Sequence, residues 1–88
     1  MLLVVYDIKT DEVIGQLRSK ALEYGEINQI LPNAFLLDAV DTDGKIGKDM
    51  SDIVSKHGRF FIGRVRRREV NGWLANETAD WINNKNFD

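Results

Sequence analysis

The feature that most limits the folds open to this chain is its opening run, Leu2-Leu3-Val4-Val5-Tyr6-Asp7-Ile8. Apolar residues stand at consecutive positions instead of alternate ones, so both sides of the segment need cover. A strand of that kind lies inside a sheet. One face carries Leu2, Val4, Tyr6 and Ile8, and the other carries Leu3, Val5 and Asp7.

The remaining elements follow from spacing and punctuation. Thr10 or Asp11 can cap a helix whose apolar stripe is Val13, Ile14, Leu17, Ala21 and Leu22, with Gly25 as its stop after Tyr24. Ile27 to Leu31 reads as a strand, Pro32-Asn33 as a turn and Ala34 to Val40 as the next strand. So short a link makes the pair an antiparallel hairpin. Asp41-Thr42-Asp43-Gly44 forms a loop and caps a second helix with stripe Ile46, Met50, Ile53 and Val54, which Gly58 stops. Phe60 to about Val65 is a fourth strand, continued past the core by Arg66 to Glu69. Asn71-Gly72 is a turn, and Ala75 to about Asn83 is a last helix with Ala75, Ala79 and Ile82 inward. Trp81 pins that helix to the sheet, and the tail from Asn83 to Asp88 is expected to fray.

Strand, helix, strand, strand, helix, strand, helix is the split βαβ order. Eighty-eight residues allow one domain, spanning 1–88. The expectation is an α+β, ferredoxin-like βαββαβ fold with a four-stranded antiparallel sheet and an extra C-terminal helix. Helices cover one face of such a sheet, yet the first strand is apolar on both. The last helix or a second subunit must cover the other face. Phe60 and Phe61 in succession send one ring to the helices and one to the open side. Leu3, Val5 and Phe61 are therefore the expected homodimer interface.

Composition narrows the chemistry. With no cysteine, disulfides, thiolate metal sites and cysteine nucleophiles are excluded, which fits a cytoplasmic protein. The formal net charge is -2, which argues against strong nonspecific nucleic-acid binding by the whole surface. The apolar start is too short for a signal peptide, and no run approaches the roughly 18 apolar residues of a membrane span.

An apolar first strand ending Val5-Tyr6-Asp7-Ile8, followed by this element order, resembles the CRISPR-associated small subunit of the spacer-acquisition complex and the VapD-type toxins. The C-terminal stretch resembles the SinR-like proteins of the same superfamily. There Phe60-Phe61-Ile62 leads to Gly72-Trp73-Leu74, then Glu77 and Asp80-Trp81-Ile82. Ala75 stands where those proteins usually carry a capping serine. The resemblance implies a cytoplasmic homodimer that meets RNA or DNA in antiviral defence or toxin biology. It also implies that Asp7 binds Mg²⁺ or Mn²⁺ at the dimer axis with its twin, supporting phosphodiester hydrolysis. A hard carboxylate suits such a cation. The plainer alternative is that Asp7 ends a strand and bonds to the following loop.

Arg64, Arg66, Arg67 and Arg68, with Lys56, His57 and Arg59 nearby, form the basic segment. As a strand, it would set Arg64, Arg66 and Arg68 on one side about 6–7 Å apart, a spacing that can track a phosphate backbone. Its plainer reading is a charged strand end that repels edge pairing, with Glu23, Glu26 or Glu69 as neutralising partners. Trp73, beside a turn, is free to stack on a base. Asp38, Asp41 and Asp43 with Gly44 lack the remaining ligands of a calcium loop and read as a helix cap. His57, the sole histidine, has no nucleophile beside it in sequence.

Three functions are thus open. The first is a dimeric nucleic-acid protein with a metal-dependent nuclease centre at Asp7. The second is a non-enzymatic protein-binding module, such as a phage or mobile-element inhibitor of a host nuclease complex. The third, a small-ligand sensor, has no glycine-rich phosphate loop to support it.

Overall fold

The computed structural model describes residues 1–39 and 44–87, with the side chain of Arg68 excepted. Its elements are β1 (Leu2–Ile8), α1 (Asp11–Leu22), β2 (Ile27–Leu31), β3 (Ala34–Leu37), α2 (Lys45–Val54), β4 (Gly58–Arg64) and α3 (Asn76–Asn83). Short 3-10 turns occupy Ser55–His57 and Arg67–Glu69. The class is α+β, with one four-stranded antiparallel sheet in the order β2-β3-β1-β4. β1 is central, as its unbroken apolar run requires. No helix among the described residues is long and apolar enough to cross a membrane.

The main core fills one face. Leu2, Val4, Tyr6 and Ile8 of β1, with Phe35 and Leu37 of β3, meet Val13, Leu17 and Ala21 of α1 and Ile46, Met50 and Val54 of α2. Both helices bury residues at i, i+4 and i+8, the rows of a single helical stripe. Leu22 falls off that stripe and is 58% exposed, against the expectation that placed it inward. A half-buried polar chain ties the layers: Arg18 donates to Gln29, whose Nε2 donates to the Tyr6 hydroxyl at 2.9 Å. At the far end of α1 the Tyr24 hydroxyl donates to Asp49 of α2.

Two glycines act through space and not as helix stops. α1 ends at Leu22, before Gly25, and a Cβ on Gly25 would lie 2.2 Å from the Asp38 carbonyl oxygen. α2 ends at Val54, and Gly58 opens β4 opposite Ile8. A Cβ there would lie 2.2 Å from the Asp7 carbonyl oxygen. The left-handed glycine among the described residues is Gly44 (φ 77°), the N-cap of α2. β3 is shorter than expected, stopping at Leu37, and Val40 lies outside the described residues.

The segment Arg66 to Glu69 does not extend β4. The last ladder bond runs from the Val65 amide to the Met1 carbonyl at 3.0 Å. Beyond it the chain leaves the ladder and turns into Arg67–Glu69. The stretch from Val70 to Ala75 is irregular, with the Gly72 amide donating to Asn71 Oδ1.

α3 packs against β2. Strand alternation turns Ala34 and Leu36 away from the main core, and both are buried, so this half of the second sheet face is covered. Thr78 is the buried residue of α3, Ala79 and Ile82 are half-buried, and Ala75, expected inward, is exposed. Polar ties hold its end. Arg67 Nη1 donates toward the carbonyls of Ile82, Asn83 and Lys85 at 3.1–3.4 Å, a cation set on the negative end of the helix. Lys85 Nζ stands 2.5 Å from Glu26 and 3.5 Å from Asp38, over the Trp81 ring. The tail, expected to fray from Asn83, is therefore tied down at Lys85, and Asp88 lies outside the described residues.

Ala75 is the N-cap of α3, in extended geometry and with no side-chain oxygen to meet the orphan amides. Ala75→Ser supplies that acceptor, and the substitution is expected to raise stability by about 0.5–1 kcal/mol, measured as the shift in a urea midpoint at constant slope.

Candidate functional site

The other half of the second face, over β1 and β4, has no helix packed on it among the described residues. Register pairs Leu3 with Gly63, Val5 with Phe61 and Asp7 with Arg59, so these six share that face. Leu3 and Val5 are half-buried, and Phe61 is 71% exposed. Its ring leans over Gly63, where a Cβ would be in ordinary contact with ring carbon Cε1 at 3.5 Å. The three expected interface residues are thus brought together as one apolar patch.

Asp7 closes the patch. Its Oδ2 accepts from Arg59 Nη2 at 3.0 Å, with both side chains largely exposed. Arg59 is the partner the sequence reading missed. The two stand far apart in sequence, and only the β1–β4 register brings them together. Within one chain Asp7 is a single carboxylate with a guanidinium on it, and no group of three potential ligands occurs among the described residues.

The arginine row is not assembled. Arg64 pairs with Leu2 and so belongs to the helix-covered face. Arg66 is exposed beyond the strand, and Arg67 is spent on the end of α3. The Arg68 side chain lies outside the described residues. Of the carboxylates offered as partners, Glu23 pairs with Lys20 and Glu26 with Lys85, while Glu69 has no ion pair among the described residues. Arg64 and Arg66 have no ion-pair partner among the described residues. The Lys85 ammonium holds the Glu26 carboxyl below the usual carboxylate range, and Glu26 in turn raises Lys85.

Trp73 is 99% exposed, while Trp81 is half-buried beneath Lys85. His57 is exposed in the turn after α2. Asp38 faces Lys85, and Asp41 and Asp43 of the acidic loop lie outside the described residues. The arrangement offers an apolar patch with a paired charge at its rim, two free arginines and one free indole. No protein-family model, curated protein or solved structure matches the chain.

Proposed function

We propose that this protein is a homodimeric, nucleic-acid-associated binding protein of ferredoxin-like topology. The order β2-β3-β1-β4, with a helix in each β-α-β half and α3 appended, supports that topology. The observation that carries the reading is Phe61, a large apolar side chain left 71% exposed on the half of the sheet face that no helix covers. A second copy suits the patch because its rim is self-complementary: under a two-fold axis the Arg59 of each copy can meet the Asp7 of the other. Dimerisation doubles Arg64, Arg66 and Trp73, giving cations for phosphates and indoles for bases on one particle.

Light scattering across a size-exclusion peak tests this, with the 260/280 nm ratio recorded. The expected mass is twice 10.1 kDa, with nucleic acid carried in the peak. Phe61→Asp is expected to give a monomer with unchanged far-ultraviolet circular dichroism, since the side chain supports no core packing. The double reversal Arg64→Glu/Arg66→Glu is expected to remove the nucleic acid while leaving the dimer. A wild-type monomer sinks the dimer.

One observation favours a second reading, a protein-binding module without chemistry. Asp7 is neutralised by Arg59, Arg64 lies on the helix-covered face and Arg67 is held on the end of α3, which suits a patterned protein contact better than a phosphate track. A dimer free of nucleic acid, and indifferent to added single-stranded or duplex oligonucleotides, would select it.

A further inference from the structure

β4 is an edge strand, and among the described residues only β1 pairs with it. The Val65 amide bonds to the Met1 carbonyl. In an antiparallel ladder each residue turns both backbone groups to the same neighbour, and the side alternates. Arg59, Phe61 and Gly63 therefore face β1, while Phe60, Ile62 and Arg64 turn N–H and C=O outward. α2 packs on this strand. Between them lies a shallow cleft of about 330 Å³, lined by Ser51, Val54 and Ser55 on one side and Gly58, Arg59 and Phe60 on the other. A helix beside an unpaired strand edge, with a cleft between, can receive an extended peptide. Backbone bonds to the edge give affinity, and an alternate side chain in the cleft gives choice.

We propose that this groove takes an extended, acidic peptide segment of a protein partner as a fifth strand, with a valine-sized side chain in the cleft. Arg59 and Arg64 mark the two ends of the edge, Arg66 follows, and β4 itself holds no acidic residue. The same charges argue against a second copy as occupant. Two antiparallel β4 edges would bring Arg59 of each copy toward Arg64 and Arg66 of the other, and like charges across a pair are destabilising. The outward strand edge and the cleft lie beside the Phe61 patch and share only Arg59 with its rim, so the groove is open whether or not the dimer forms.

The test is amide hydrogen exchange of the intact protein by NMR, with a short synthetic peptide of alternating Glu and Val and a Lys/Val counterpart as probes. The Glu/Val peptide is expected to slow exchange at Phe60, Ile62 and Arg64 by roughly tenfold or more. It should leave Arg59, Phe61 and Gly63, already bonded to β1, unchanged. Ile62→Pro removes an outward donor without touching the ladder to β1 and is expected to weaken binding about tenfold. Should that variant fail to fold, Ser51→Trp fills the cleft from the helix side and is expected to weaken binding as well. No protection by either peptide at millimolar concentration overturns the site. Equal protection by both overturns the acidic partner, as does protection by a single-stranded oligonucleotide in place of the peptide.

Discussion

Phe35→Ala is expected to remove about 3–5 kcal/mol of stability, against a total of roughly 4–13 kcal/mol for a domain of this length. At the low end of that range most molecules would then be unfolded. Phe35 is the largest fully buried side chain. It stands in β3, between the edge strand β2 and the central strand β1, and reaches the main core beneath α1. The Tyr6 ring lies tilted beside it at 6.0 Å, and the Arg18 guanidinium sits 5.9 Å above its centroid. Truncation leaves a cavity beneath the Arg18 guanidinium. Urea titration followed by circular dichroism measures the loss. A change of about 1 kcal/mol would show that the strand and helix can close the gap. Phe61, on the opposite face of the same sheet, is the internal contrast, since its removal should barely move the midpoint of the monomer.

The second large effect is expected at Gly58. Its φ of 161° is extended backbone that any residue adopts, so conformation does not demand glycine. Space does. A Cβ would fall 2.2 Å from the Asp7 carbonyl oxygen and 2.9 Å from Ile8 Cα, both main-chain atoms that cannot swing aside. Gly58→Ala must push β4 off β1 where the ladder begins, at a cost of about 1–3 kcal/mol or more. The same displacement separates Arg59 from Asp7, so NMR shifts at both should move with the loss of stability. Gly15→Ala is the control. Nothing lies within 4 Å of a Cβ there, and in the middle of α1 it is expected to stabilise by up to about 1 kcal/mol. Equal midpoints for the two variants would contradict the crowding.

The sheet was legible in the chain because its central strand announces itself twice, by an apolar run with no alternation and by the i, i+4, i+8 rows of the two helices that cover it. Phe60-Phe61 was similarly informative, since neighbours in a strand must part to opposite faces. What stayed hidden depends on partners. The last β1–β4 pair is Leu2 with Arg64, fixed by how two distant segments align, so no local property of Arg66, Arg67 or Arg68 could show that the strand stops before them. The Asp7–Arg59 pair is a matter of register between distant segments. Gly25 and Gly58 carry the local signature of helix stops, and only the approach of a distant segment's backbone reveals their other use. For the candidate site, the apolar patch could be read and the arginine row could not, because a row needs a strand that the fold does not extend.

The placement of β1 at the centre of the sheet also bears on how the chain is made. Its two neighbours, β3 and β4, are both translated later, and β4 is the last strand to appear. At a ribosomal pace of about 5–20 residues per second, β1 waits roughly 3–11 seconds for its longest partner. During that interval Leu2 to Ile8 is a bare, cysteine-free and nearly charge-free β-segment, the kind that chaperones hold and that aggregates recruit. The first helix is synthesised immediately behind it and can shelter one side at once. Asp7 gives the segment its single charge on the side that remains open, so the same aspartate that meets Arg59 in the finished sheet also guards the nascent strand.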